Sequence, residues 1–192
     1  MMLSAVTTSA QQSDMAQQFE QELKTKNGDV TSIKCRFTQT REVSVLASAV
    51  VKGGQFYFQQ GGNMLLRFED GDYIKMTSEW FEMCTAGNTT KTKVASNPML
   101  KNLSAILSAC VVGDFEQIAR GYSYAVEQSA KEWIVTLTPQ RGKGAKIAKI
   151  AIHFDRANMS LNTLRMDERT GDYTMYSFMD KHFNVAIDSK LF

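Results

Sequence analysis

From Val30 onward apolar residues recur at every second position, and this period limits the fold more than any other feature. Ile33, Cys35 and Phe37 alternate with Ser32, Lys34 and Arg36, which sends one set of side chains to each face of an extended chain. Similar runs occupy 49–51, 55–59, 64–69, 73–77, 80–85 and 89–94. They are punctuated by Gly53-Gly54, Gly61-Gly62-Asn63, Asp70-Gly71 and Gly87-Asn88. Glycine and Asx-Gly pairs between alternating runs mark hairpins, so this region reads as an antiparallel meander of about six strands. Strand patterns return at 122–127, 132–138, 148–155, 162–168 and 174–178, joined by turn-like segments such as Gln140-Arg141-Gly142-Lys143-Gly144 and Thr170-Gly171-Asp172. The total is about eleven strands. Proline, which cannot donate to a strand ladder, occurs only at 98 and 139.

Two helical patterns break the alternation. Over 13–26, Met15, Phe19 and Leu23 form one apolar stripe among Gln, Glu and Lys. Ser13 is placed to cap this helix, Asp14 suits the positive end of its dipole, and Asn27-Gly28 is expected to stop it in a left-handed turn. Asn97-Pro98 opens a second helix, with Met99, Leu103, Ile106, Leu107 and Cys110 as a wide apolar stripe and Gly113 as its end. Residues 114–120 read as one further helical turn. The first twelve residues are mildly apolar and then small, with Thr8 and Ala10 spaced as in a signal cleavage site. Residues 1–12 therefore read as the remnant of a secretion signal or as a disordered tail. With neither repeat nor linker in view, and roughly 150 residues per domain as the usual size, residues 13–192 form a single domain.

The fold class that follows is α+β, mainly β. A large antiparallel sheet with one apolar face must cover that face. Two or three helices can lie across the concave side of a curved sheet without filling it tightly. The pattern leaves open a core that just closes and a container with an apolar interior. Eleven Met and eleven Phe supply adaptable apolar surface suited to either.

Composition removes several function classes. With 22 Lys+Arg against 20 Asp+Glu, the formal charge is +2, which gives no basic surface for nucleic acid. No apolar run approaches the ~18 residues of a membrane helix. Cys35, Cys84 and Cys110 are too few for a disulfide scaffold and too scattered for zinc. His153 and His182 are the only histidines, so neither a metal nor a cofactor is expected. Phosphate-loop, dinucleotide and metalloprotease motifs are missing. Gly121-Tyr122-Ser123-Tyr124-Ala125 departs from a nucleophile elbow at its last position. The cysteines lie on strands or on the helix stripe, where a small buried hydrophobe is the better reading than a Cys–His catalytic pair. No enzyme is expected. A Cys84–Cys110 bridge stays open in an oxidising compartment. Arg141, Lys143, Lys146 and Lys149 read as a solvated hairpin tip rather than as a site for anionic lipid or a partner.

Several segments, in order, resemble the bacterial outer-membrane lipoprotein carrier family (LolA-like). They are Phe37-Thr38-Gln39, Gly54-Gln55-Phe56-Tyr57-Phe58, Leu66-Arg67-Phe68, Asn97-Pro98-Met99 with Gly113-Asp114-Phe115, and Asp172-Tyr173-Thr174-Met175-Tyr176-Ser177-Phe178 followed by Asn184, Ile187 and Phe192. The resemblance spans roughly 13–192 and implies an incomplete antiparallel β-barrel of about eleven strands, with two or three helices as a lid over an apolar cavity. It implies a periplasmic, monomeric carrier that shields the acyl chains of lipoproteins between the inner and outer membranes. Its partners would be acylated lipoproteins, an inner-membrane lipoprotein-releasing transporter, and an outer-membrane acceptor or the membrane itself. A periplasmic sensor or regulatory module on the same fold, binding lipid or a partner protein, is the alternative. Gln59-Gln60-Gly61-Gly62-Asn63 stands where some members carry Arg-Pro, so no lid latch is carried over.

Strand alternation then nominates the lining. On the strands it is Phe37, Phe56, Phe58, Met64, Leu66, Phe68, Ile74, Met76, Ile150, Ile152, Phe154, Leu164, Met166, Tyr176 and Phe178. On the helix it is Met99, Leu103, Ile106 and Leu107. A one-residue slip would turn any of these strands over.

Overall fold

The computed structural model describes residues 9–46, 48–96, 105–111, 121–140 and 146–192. Helix α1 spans Ser9–Asn27. The strands are β1 (Ser32–Glu42), β2 (Val50–Gln59), β3 (Asn63–Phe68), β4 (Tyr73–Met76), β5 (Trp80–Thr85), β6 (Asn88–Lys93), β7 (Tyr122–Gln128), β8 (Glu132–Pro139), β9 (Ile147–Asp155), β10 (Leu161–Glu168) and β11 (Tyr173–Phe183). Residues 105–111 are helical. All eleven strands form one antiparallel sheet in the order β6-β5-β4-β3-β2-β1-β11-β10-β9-β8-β7. Two meanders, β1–β6 and β7–β11, are thus joined where the first strand pairs with the last. The edges β6 and β7 do not pair, so the sheet is an open, incomplete barrel. β6 meets the hazard of a bare edge with an Asn-Thr-Thr-Lys-Thr-Lys sequence exposed almost throughout.

Register agrees with the alternation. Phe56 pairs with Leu66, Phe58 with Met64 and Met64 with Met76. In the other meander Ile150 pairs with Met166 and Ile152 with Leu164. One face is therefore apolar across both meanders, and α1 and the 105–111 helix lie on it.

Several local expectations need correction. The segments 49–51 and 55–59 are one strand, β2, and Gly53-Gly54 lies inside it rather than at a turn. A Cβ on Gly54 would come 2.3 Å from the Arg67 carbonyl oxygen and 2.7 Å from the Phe37 ring, so the glycine is there for close approach. α1 begins at Ser9, which places Ser13 inside the helix and not at its cap. Gly28 is absent from the left-handed glycines. It is small because a Cβ would sit 2.8 Å from the Lys24 carbonyl. The expected features at Asn97-Pro98, Gly113, 114–120, Arg141 and Lys143 fall outside the described residues.

α1 is fixed to the second meander by its whole inner face. Phe19 and Leu23 are fully buried, and Phe19 tilts against Phe154 at 5.1 Å and Trp133 at 5.8 Å. Polar ties surround this contact. Trp133 donates to Glu22 at 3.2 Å, Tyr124 to Glu20, Lys26 to the Ala157 carbonyl, and the buried Asn27 to the Met159 carbonyl at 3.1 Å.

Candidate functional site

The concave face carries two apolar clusters. One joins Phe19, Leu23 and Trp133 to Ile150, Ile152, Phe154 and Leu164 of the second meander. The other joins Phe37, Phe56, Phe58, Met64, Leu66, Phe68 and Met76 of the first. The 105–111 helix spans the seam between them: Ile106, Ala109 and Cys110 pack on the first cluster, Val111 on the second, and Leu107 on both. Tyr176 and Phe178 of β11 touch both clusters from below.

The seam holds a cavity lined chiefly by Ile33, Cys35, Phe56, Phe58, Met64, Leu107, Cys110, Val111, Leu161, Phe178 and Phe183. Its volume is about 30 Å³, whereas an apolar cavity that holds one benzene ring measures ~150 Å³. Among the described residues, then, the interior is apolar and its cover is closed down on it.

Two strand irregularities shape one end of the cavity. In β11, Arg36 pairs with Met179 but Lys34 with His182, so Asp180 and Lys181 together oppose Cys35. Asp180 takes the left-handed conformation, φ +53°, as the first residue of such a bulge often does. In a regular strand Asp180 would face the cavity and Lys181 the outside. The bulge sends Asp180 outward to Arg36, at 3.3 Å, and brings Lys181 and then Phe183 to the cavity. A second register shift in β10 between Leu161 and Thr163 leaves Asn162 unpaired with β9. The β10–β11 ladder starts only at Thr163 and Ser177, so the two strands part there. Lys181 bridges the gap, donating from Nζ to Asn162 Oδ1 at 2.6 Å and to Ser160 Oγ at 2.9 Å.

Burial sets the chemistry of the titratable groups around the cavity. It pushes the Cys35 thiol up to about 12, against the downward pull of the Lys181 charge. It pushes Cys110 up to about 12 as well. Burial also lowers Lys181 below the ordinary lysine value, while Cys35 and Asp155 pull it back up. All three cysteines are free, so the bridge left open between Cys84 and Cys110 is not formed. Ser123 is an exposed strand residue whose hydroxyl donates to the Thr138 carbonyl. His153 pairs with Glu132 at 3.0 Å on the outer face.

The nominated strand residues do share one face. Phe37, Phe56, Phe58, Met64, Leu66, Phe68, Met76, Ile150, Ile152, Phe154 and Leu164 are buried, while Ile74, Met166, Tyr176 and Phe178 are half-buried. Of these, Phe56, Phe58, Met64 and Phe178 reach the cavity, with Leu107 above them. Met99 and Leu103 lie outside the described residues. Even-number alternation missed Ile33, Cys35, Leu161, Lys181 and Phe183. β1 runs in the opposite parity, and the bulges invert parity in β10 and β11.

A family model described as the outer membrane lipoprotein carrier protein LolA matches residues 28–192, from just after α1 through all eleven strands to Phe192. The chain belongs to the LolA family. No curated protein sequence matches it. Among solved structures, an uncharacterised conserved protein from Thermus thermophilus is similar at 8% identity and TM-score 0.55, covering 92% of this chain and 91% of that one. MucB is similar at 14% identity and TM-score 0.52, with 95% of this chain and 62% of that chain covered. A LolA superfamily protein from Nitrosomonas europaea aligns at 10% identity and TM-score 0.48 over 93% and 97%. The first two likenesses show a shared fold, and the family match identifies it as that of LolA. Members of the LolA family are carrier and binding proteins. No helix among the described residues is long and apolar enough to cross a membrane.

Proposed function

We propose that this LolA-family chain is a periplasmic carrier of lipoproteins, taking their acyl chains into the seam between the two meanders and moving them from the inner to the outer membrane. The observation that carries the reading is the covered apolar seam. The 105–111 helix rests on it through Ile106, Leu107, Ala109, Cys110 and Val111. Such contacts are non-directional, so a hydrocarbon chain can replace them in kind. α1 is pinned by polar ties besides its apolar stripe and is the fixed part of the cover. On this reading the structure is the closed form. Loading lifts the 105–111 helix and opens a volume of the ~300–1,000 Å³ usual for ligand sites. The partners would be acylated lipoproteins, an inner-membrane releasing transporter, and an outer-membrane acceptor or the membrane itself.

Native mass spectrometry of the protein from its own host tests this. Acylated peptides or lipoproteins bound one to one are expected. An empty protein in a stable stoichiometric complex with an unacylated protein would overturn the carrier and favour a sensor module on the same fold.

A further inference from the structure

We propose that Lys181, with Ser160 and Asn162, forms a head-group site at the mouth of the seam for the anionic end of a single-chain acyl amphiphile, a fatty carboxylate. The inference rests on the seam being an acyl site and assigns it a second class of ligand, since the chains of an acylated protein are ester- or amide-linked and carry no free carboxylate.

The bulge in β11 carries the first part of the argument. Asp180 adopts a left-handed φ of +53°, a conformation that costs a non-glycine residue energy, though Asp less than most. The outcome is a lysine at a cavity lined mostly by apolar side chains, with Asn27 and Ser160 as its other polar residues. Bulges recur next to functional sites because they re-aim a side chain in this way. The second part is the polar complement. The β10 register shift frees Asn162, and Ser160 is one of the few buried polar residues, 3% exposed. Both accept hydrogen bonds from Lys181 Nζ, and both acceptors are neutral. The ammonium has three donors, and two are used by these partners. Among the described residues no carboxylate lies within ion-pair distance of it; Asp155 acts on it only from farther off. A half-buried cation with neutral partners at the edge of an apolar cavity is matched by an anion with an apolar tail.

Dodecanoate, its neutral methyl ester and dodecyl phosphate are the probes, with affinity measured for the full chain by calorimetry. Dodecanoate is expected to bind about tenfold tighter than the methyl ester, the order for one charged hydrogen bond. Lys181→Met should abolish that advantage and leave ester affinity unchanged, while Lys181→Arg should keep it. Lys181→Gln replaces the Met variant if the latter does not fold. Tighter binding of dodecyl phosphate than dodecanoate, again dependent on Lys181, would keep the anionic site and assign it a phosphate head. Equal affinity for acid and ester, or full dodecanoate affinity in Lys181→Met, would overturn the head-group site while leaving the seam intact. Failure of all three probes to bind would overturn the seam as well.

Discussion

Gly53 and Gly54 are chemically identical neighbours in β2, and the structure predicts opposite responses to the same added methyl group. Gly54 faces the concave side, paired with Phe37 of β1 and Phe68 of β3. A Cβ there would lie 2.3 Å from the Arg67 carbonyl oxygen and 2.7 and 2.9 Å from two carbons of the Phe37 ring. Phe37 is 1% exposed and stands edge-on to Phe68 at 5.1 Å, so the ring has no free space to retreat into. The carbonyl is backbone and cannot rotate away. Overpacking of this kind costs ~1–3 kcal/mol, and the rigid neighbour places Gly54→Ala at the upper end, about 3 kcal/mol. Gly53 faces outward, and its nearest neighbours are the Glu69 carboxylate atoms at 3.1–3.3 Å, on a side chain that can swing aside. Gly53→Ala should be neutral or stabilising by ~0.5–1 kcal/mol, the entropic gain of replacing glycine in a strand. For a domain of this size ~1 kcal/mol shifts Tm by ~2–4 °C, so Gly54→Ala should melt ~6–12 °C lower and Gly53→Ala no lower than the parent. Urea unfolding gives the free energies, and the slope m should stay constant. Equal destabilisation by both substitutions would refute the reasoning and restore a turn at this position.

Further consequences concern the seam and its cover. Cys84 is only half-buried whereas Cys35 and Cys110 are buried with thiols pushed up to about 12, so a thiol reagent at pH 8 should label Cys84 alone. A bound acyl ligand that lifts the 105–111 helix should then speed labelling of Cys110, as mass spectrometry of digests would show. Alkaline stability follows from the same thiols. The folded state keeps their protons up to about pH 12, while the unfolded chain loses them near the ordinary thiol value. The contribution is therefore whole below pH ~8.5 and is lost as pH rises toward 12, at up to ~1.4 kcal/mol per pH unit for each thiol. Cys35→Ala/Cys110→Ala should flatten that slope in urea titrations between pH 9 and 11. Phe19→Ala should cost ~3–5 kcal/mol, because the ring is fully buried between Trp133 and Phe154.

The meanders were legible because a half-buried strand has only one period, and errors arose where a local contact overrode it. Alternation placed Phe56, Phe58, Met64 and Leu66 on one face, and the observed register keeps them there. Gly53-Gly54 looked like a turn because glycine serves both loops and close packing, and only the Phe37 ring across the ladder separates the two uses. The order of strands in the sheet, with β1 against β11, is a long-range pairing on which periodicity is silent. The resemblance implies an incomplete barrel without fixing its strand order, and the structure supplies this pairing. In the site, the apolar part was readable and the polar end was not. Lys181 sits in an 11-residue strand where parity assigns it to solvent. A bulge is a matter of count, one extra residue opposite Cys35, and the sequence of β11 alone does not mark it. Asp180 is compatible with the bulge without announcing it, since Asp tolerates the left-handed conformation better than most residues.

On the function proposed above, the seam must bind firmly enough to keep hydrocarbon out of water and loosely enough to surrender it, and its closed packing suits that demand. Burying an acyl chain of ~16 carbons is worth on the order of 10 kcal/mol at ~0.8 kcal/mol per methylene. A preformed hollow would deliver all of it and hold the chain too well. Here the seam is already filled by Ile106, Leu107 and Val111, and large aliphatic side chains contribute ~1.5–3 kcal/mol each when buried. Displacing them offsets roughly half or more of the ligand's gain. The remainder is small enough for a membrane, or an acceptor with an open apolar site, to take the chain without an energy source. Closure behind the departing chain then restores the helix contacts and favours release. The cover is therefore part of the affinity, and weakening its packing should tighten acyl binding. Leu107→Ala, which removes the side chain shared by both clusters, is expected to hold dodecanoate several-fold longer than the parent in a vesicle-transfer assay. Faster loss from Leu107→Ala would mean that Leu107 grips the ligand instead of competing with it.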